Sequence, residues 1–475
     1  MSKPRRIYLL SPKVLSPETI AVAFAKTSRS PKPFDEIAAE LTDERSAEFN
    51  EKWVVGYGHA SVAEHAVLHL AMENISRLAI ETIEGNRLGS YTEKSTRYQQ
   101  WDTDAYYFPA ELQENDLADE FKSCCDHLFS TYRESIPKVE AWIRTTQPQR
   151  ADETLKAFSR RVKPAAVDIC RFLLPAAALA NVGVTMNART LEYAICKMLS
   201  SPLDEVRVIG EKLRNVCQSE TPTLIKYAAC NDYMISTREM LGGYASGISL
   251  ESNDDFRMLS WDQNGEDQIL AALLFRFARN KAYGACFDFV CTLSDAEKER
   301  FIAELMGPRD TFDQPLREFE YAQMTFEVMM DQGAYFEFKR HRMMTQTVKP
   351  LTPHLGFAVP RGITESGCEE AYIEAMRDAA KLSVRLAEQN PDVASYIIPN
   401  GFNRRVLFSM NLRQAFHFCR LRAAQNAHFS IRRIAYRIAE SIQQIYPKLG
   451  HYLDIPSSET WQGIENRHFS TIATR

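Results

Sequence analysis

Pro175-Ala-Ala-Ala-Leu-Ala-Asn-Val-Gly-Val-Thr-Met-Asn187-Ala-Arg189 and Pro399-Asn-Gly-Phe-Asn-Arg-Arg-Val-Leu-Phe-Ser-Met-Asn411-Leu-Arg413 decide how this chain is built. Each runs twelve residues from proline to asparagine, and each has an aspartate seven residues before the proline, Asp168 and Asp392. Each then leads into an amphipathic helix, Thr190 to Leu199 and Gln414 to Arg422, with apolar residues three and four apart. Upstream, two alternating segments, Val67 to Met72 and Gln323 to Met329, read as half-buried strands. A helical stretch follows each and ends in Gly85-Asn86-Arg87 or in Arg340-His341-Arg342. Further upstream, Leu41-Thr-Asp-Glu with Phe49 recurs as Leu293-Ser-Asp-Ala with Phe301; Ser294 and Glu297 form a capping box and Thr42 holds the matching cap position. Four ordered matches predict a duplicated chain, with one repeat over residues 1–220 and the other over 221–475. The boundary falls near residues 218–250, where Thr221-Pro222, Gly242-Gly243 and the polar run from Glu251 to Asp255 read as turns and loop.

Composition narrows the class. A chain of 475 residues exceeds one ordinary core, and 45% hydrophobic with 25% charged residues is a globular balance. With 57 basic and 62 acidic residues the net charge is -5, so wholesale binding to nucleic acid is not expected, although local basic clusters can hold a nucleotide phosphate. Ile7 to Leu10 is too short for a signal-peptide core and no stretch is long enough to span a bilayer, so a cytoplasmic protein is expected, without membrane contact. Ten scattered cysteines with no C-x-x-C predict reduced, mostly buried thiols and no metal site.

The chemistry-bearing residues are shared unequally. The first repeat has Gly58-His59-Ala60-Ser61 with Glu64-His65, then Arg87, Ser90, Glu93, Ser95, Arg97 and Tyr98; the second has Arg340-His341-Arg342, Asn411-x-Arg413 and Arg420-Leu421-Arg422. Arginine, histidine and hydroxyl groups crowded at a helix end supply charge-assisted donors to a phosphate or a polarised heterocycle. In an extended loop, a Ser-x-Arg points both side chains one way, so that Ser95 and Arg97 can grip one phosphate.

Over roughly residues 5–215 and 265–445 these motifs resemble the flavin-dependent thymidylate synthases, whose signature joins Arg-His-Arg to a serine, a glutamate and a Ser-x-Arg. The resemblance implies an α+β fold in two tandem domains, each a small antiparallel or mixed sheet with long helices. It also implies FAD as cofactor, NADPH as reductant, methylenetetrahydrofolate as carbon donor, and dUMP methylated at C5 without a cysteine nucleophile. By position, Ser61 and Glu93 match flavin contacts, and Ser95, Arg97 and Arg171 match the nucleotide grip. Arg340, His341 and Arg342 match the flavin-phosphate cluster, Asn411 and Arg413 match flavin contacts, and Arg422 matches the arginine that activates the uracil ring. A guanidinium beside an ionising uracil nitrogen stabilises developing negative charge.

Each repeat departs where the other is intact. The first has Gly85-Asn86-Arg87 for Arg-His-Arg and Met198 for the ring-activating arginine. The second lacks the Gly-His element, has Pro350 and Thr352 for Ser-x-Arg, and Ser395 where the first keeps Arg171. Mixed sites built from both repeats are therefore expected, with a homodimer standing in for the family's tetramer. Glu337, three residues before Arg340, replaces a nucleotide-contacting glutamine of the family, which leaves open another pyrimidine acceptor or transfer of hydroxymethyl. A non-catalytic degenerate relative is the reading from another class. Plainer roles stand beside these: Arg340 to Arg342 as a solvated basic helix end, His59 and His65 as core histidines, Arg97 paired with a surface carboxylate, and Asn187 and Asn411 as helix caps.

Overall fold

The computed structural model describes residues 5–56, 58–248, 254–310 and 313–474. Within it the duplication is physical. In the first repeat strand β1 (Val67–Ser76) enters helix α1 (Arg77–Glu84) and the chain returns as β2 (Gly89–Glu93). Long helices α2 (Ala118–Thr146) and α3 (Leu155–Cys170) follow, then β3 (Leu179–Asn187), α4 (Ala188–Leu199) and α5 (Asp204–Cys217). After α6 (Asp232–Ala245) the second repeat gives β4 (Phe256–Trp261), β5 (Gln323–Asp331), α7 (Gln332–Phe338), β6 (Thr345–Val348), α8 (Glu369–Gln389), β7 (Asn403–Asn411), α9 (Leu412–Arg422) and α10 (Phe429–Ile445).

The two larger antiparallel sheets are ordered β1-β3-β2 and β4-β5-β7-β6, so the second contains the first with one strand added. The register repeats as well: Val67 faces Asn187 as Gln323 faces Asn411, and Ser90 faces Thr185 as Thr345 faces Ser409. Arg87 and Arg342 each stand three residues before those third-strand positions. Backbone pairing alone thus equates Gly85-Asn86-Arg87 with Arg340-His341-Arg342.

Side-chain alternation explains the strands, since Met324, Phe326, Val328 and Met330 of β5 are buried along with Val406, Phe408 and Met410 of β7. Phe326 stacks on Phe408 at 5.3 Å, and Phe338 meets Phe408 edge-on at 4.7 Å. Each first strand ends on the cap of the next helix: Ser76 accepts from the Ala79 amide at 2.9 Å, Asp331 from that of Ala334 at 2.8 Å. Ser76 Oγ then donates to Glu205 of α5, whereas Asp331 accepts from Ser430 Oγ of α10. Both repeats keep the same buried hydroxyl–carboxylate fastening with its two partners exchanged.

One expectation fails between the repeats. Gly242-Gly243 reads as a turn, yet both glycines lie inside α6, started by Asn231 accepting from the Met234 amide at 3.1 Å. A glycine costs a helix only about 1 kcal/mol, and a strong cap offsets that. Of the polar run expected from Glu251 to Asp255, residues 251–253 lie outside the described residues.

The compact units do not follow repeat order. One takes the chain through Lys94, Tyr106–Ala118 and the stretch from Ala177 to the linker, and so contains the β1-β3-β2 sheet. The other joins Ser95–Ala105 and Asp119–Ala176 to the chain beyond the linker, so the second sheet shares a unit with α3 and the Ser95–Ala105 loop of the first repeat. All ten cysteines are free and seven are buried; burial pushes the Cys124 and Cys419 thiols up to about 12, which keeps them protonated and inert. Among the described residues no helix is long and apolar enough to cross a membrane, and no group of three His, Cys, Asp or Glu is placed to hold a metal.

Candidate active site

Helix α7 is buried along its whole length and brings Glu337 into its last turn, after which the chain turns through Lys339–Met344 into β6. Helix α9 starts on a capping box between Asn411 and Gln414, buries Leu412, Ala415, Phe416, Phe418 and Cys419, and delivers Arg420 and Arg422 at its last turn, where cations suit the helix dipole. There Arg422 Nε donates to His341 Nε2 at 2.9 Å and Nη1 donates to Glu337 Oε2 at 3.0 Å.

First-repeat residues complete this cluster inside the same compact unit. Arg171, at the end of α3, donates from Nη1 to Thr96 Oγ1 at 3.3 Å and from Nη2 to the Gly333 carbonyl at 3.3 Å, and Nη2 lies 3.5 Å from Glu337 Oε1. Its own carbonyl accepts from Asn400 Nδ2 at 2.9 Å. A Cβ at Gly333 would sit 3.0 Å from Asp331 Oδ1, so this position suits the tight cap of α7, while Arg171 Nη2 would remain at ordinary contact distance. Arg97 forks onto Asp168, with Nε at 3.0 Å from both oxygens and Nη2 at 2.8 Å, and donates to the Asn426 carbonyl at 3.2 Å. Asp168 is held in turn: its carbonyl lies 3.2 Å from His428 Nε2, while His428 Nδ1 accepts from the Ser430 amide. That pair of bonds fixes the proton on Nε2.

The electrostatics are those of a partly buried cation cluster around two buried histidines. Burial, then Arg422, His417 and Arg340, hold His341 well below the usual imidazole value; burial, Arg171 and Arg97 do the same for His428. Both rings are therefore neutral, and His341 can accept from Arg422. Burial lowers Arg422 too, with Arg340 and Arg97 adding to it against the pull of Glu337. For Arg97 burial is outweighed by Asp168, which raises it.

The remaining expected site residues divide. Arg340 is exposed and Arg342 half-buried in the turn after α7. Ser95 and Arg97 do not share an extended loop: residues 96–98 form a turn in which Ser95 Oγ accepts from the Arg97 amide at 3.2 Å, a local bond favoured by serine. Glu93 is sealed against Arg77 at 3.0 Å, both side chains 2% exposed. Asn411 spends its side-chain oxygen on the Gln414 amide at 2.9 Å, and Asn187 does the same for Thr190. Arg413 is taken by the Pro315 carbonyl at 2.8 Å and Glu320 at 3.0 Å. Asp168, His428, Thr96 and Gly333 carry the geometry although no role was expected of them; only Asp168 left a signal, as the aspartate seven residues before the proline in both repeats.

Ser61 lies in the other compact unit, on a cavity of about 840 Å³ walled by Phe24, Phe49, Trp53, His59 and His65, with Lys26, Arg29 and Glu64 in its lining. His59 and His65 are exposed there and are not core histidines. Aromatic walls with two cations suit a flat ring carrying an anion. In the second unit, taken by itself, the Arg340–Arg342 turn suits a phosphate, as expected of a flavin-phosphate cluster. Glu93, Asn411 and Arg413 fit the expected flavin poorly, because their polar atoms already have structural partners.

Comparison with known proteins agrees with the duplication. The family described as thymidylate synthase complementing protein matches residues 10–223 and again 258–448. A UPF0159 protein of Chlamydia muridarum is 30% identical over 441 residues, 89% of this chain and 83% of that protein; one of Thermoplasma acidophilum is 28% identical over 86% and 89%. A flavin-dependent thymidylate synthase of Clostridium tetani is 26% identical over 215 residues, 45% of this chain and 82% of that protein, about the length of one repeat.

Proposed function

The chain belongs to the thymidylate synthase complementing protein family, with the family's domain present twice, and from that premise we propose that it transfers a one-carbon unit to C5 of a uracil nucleotide, dUMP first. One observation carries this reading: Arg97 and Arg171 of the first repeat meet Glu337, His341 and Arg422 of the second in one compact unit. Arg97 pairs with Asp168, and Arg171 and Arg422 both meet Glu337, an excess of one positive charge that suits a nucleotide phosphate.

In this reading Asp168 orients Arg97 for the nucleotide phosphate, and Arg171 is fixed by Thr96, Gly333 and Asn400 before ligand arrives, so little ordering entropy is lost on binding. Arg422, steered by neutral His341, places its guanidinium against the base and stabilises charge as C5 becomes nucleophilic. FAD is the cofactor of this reading, with Arg340 and Arg342 suited to its phosphates; when bound it supplies hydride chemistry, with NADPH as reductant and methylenetetrahydrofolate as carbon source. A homodimer with one working site per chain is the assembly proposed. The test is release of tritium from C5-labelled dUMP by purified protein with FAD, NADPH and methylenetetrahydrofolate, together with growth of a thymidine-requiring strain. Protein that takes up no FAD and releases no tritium sinks the proposal.

A further inference from the structure

Helix α6 stands almost bare on its compact unit. It lies between the two stretches that match the family, residues 10–223 and 258–448, and none of its 14 residues is buried. Its start is tied down: the Asn231 amide donates to Ser200 Oγ at 2.8 Å, and Arg238 Nη1 donates to the Ser200 carbonyl at 2.9 Å. From Arg238 to Ile248 every residue is exposed, and a Cβ added at Gly242 or Gly243 would meet nothing within 4 Å. A helix of this length is marginal in water unless an apolar face is packed, and its two glycines weaken it further. Yet the apolar side chains face solvent: Tyr233, Met240, Leu241, Tyr244 and Ile248 are 50–76% exposed. With Thr237 they recur at intervals of three and four residues, which lines them up along one side of the helix. Ile248 extends that stripe, because its amide still bonds back to the Ala245 carbonyl at 3.1 Å.

We infer that this stripe is a homotypic docking surface, on which α6 of a second copy of the chain packs antiparallel about a two-fold axis passing between Met240 and Leu241. Under that symmetry the stripe is its own complement. Tyr233 meets the partner's Ile248, Thr237 the partner's Tyr244 and Met240 the partner's Leu241, and each contact occurs twice, as an isologous interface requires. Five large apolar side chains from each copy bury on the order of 1,000 Å² in total, about the least that holds a specific dimer together. No charge interrupts the stripe. The helix carries one basic residue, Arg238, against Asp232 and Glu239, whereas a helix that lies on a membrane surface needs a basic polar face. The surface is a property of the joined chain and needs neither nucleotide nor flavin, so it stands apart from the reaction proposed above.

Sedimentation velocity of the full-length chain at micromolar concentration, with no ligand added, tests this. Native protein sediments as a dimer. Leu241→Glu sets two carboxylates beside the axis of an apolar seam; it raises the dissociation constant at least about 100-fold and leaves a monomer that circular dichroism shows to be folded. Leu241→Cys reads the register without placing a charge there, in a chain whose exposed cysteines are removed by Cys230→Ser and Cys291→Ser. Mild oxidation with diamide links two copies through Leu241→Cys, whereas Glu239→Cys, on the far side of the helix, gives no linked dimer. A native chain that stays monomeric, whether or not it binds anionic vesicles, overturns the inference. So does a dimer unchanged by Leu241→Glu, or one that links through Glu239→Cys as readily as through Leu241→Cys.

Discussion

The turn after α1 and the turn after α7 occupy one register position, yet they have become opposite kinds of structure. In the first repeat Asn86 is buried and donates to the Ile83 carbonyl at 2.8 Å, and Met198, eleven residues after Asn187, is 1% exposed. In the second, His341 keeps company with Arg340 and Arg342, and Arg422, eleven residues after Asn411, is a half-buried cation bonded to Glu337. One copy has packed its site shut and the other still bears the electrostatic cost of keeping it charged. A duplicated domain can hold one cluster if one copy supplies what the other has lost, and here Arg97 and Arg171 come from the copy whose Met198 is now core.

Exchanging the two ends breaks this comparison hardest. Arg422→Met lowers tritium release about 10²–10³-fold, the range for removing one positioned donor. Met198→Arg instead buries an unpaired charge and destabilises its compact unit by about 3–5 kcal/mol in urea unfolding. An Arg422→Met enzyme of native activity, or a Met198→Arg protein of native stability, would erase the contrast.

Glu93 sharpens it next. Sealed against Arg77, it is a structural ion pair, so Glu93→Gln costs about 3–5 kcal/mol of stability and leaves the FAD affinity of the folded protein unchanged. Loss of FAD at constant stability would return Glu93 to the flavin site.

Acidification distinguishes the copies more gently. His341 and His428, both in the second unit, have folded pKa values depressed well below 6.5 by burial and neighbouring arginines. As pH falls below about 6.5 the unfolded chain takes up protons that the folded chain refuses, so stability is full above that pH and declines below it. His428→Gln flattens the fall in Tm between pH 7 and 5, and an unchanged slope refutes the assignment. Smallest and symmetric are the caps: Asn187→Ala and Asn411→Ala each cost about 1 kcal/mol, and a loss of FAD confined to Asn411→Ala would show that it does more than start a helix.

How much was legible follows from how local each signal is. The duplication could be read because a strand of fixed length separates Pro175 from Asn187 and Pro399 from Asn411, and the capping box at Ser294 needs only Glu297. Arg97, Arg171, Arg340, His341 and Arg422 could be placed by position against a long motif, but their partners could not. Asp168 lies 71 residues from Arg97, and Arg422 lies 85 from Glu337, so those bonds arise only once the sheet has brought the helices together. The same limit explains Glu93, whose partner Arg77 carries no motif, and Ser95, whose hydroxyl a two-residue turn captured before any ligand could. Helix α6 was obscured because Gly242-Gly243 outweighs Asn231 when only propensity is read.

Isothermal titration of dUMP into the FAD-saturated protein tests the mixed site most directly, using Arg97→Gln from the first repeat and Arg422→Gln from the second. The account predicts one nucleotide bound per chain in the native protein and loss of that same binding in either variant. Two nucleotides per chain, with each variant losing only one, would show that the repeats work separately.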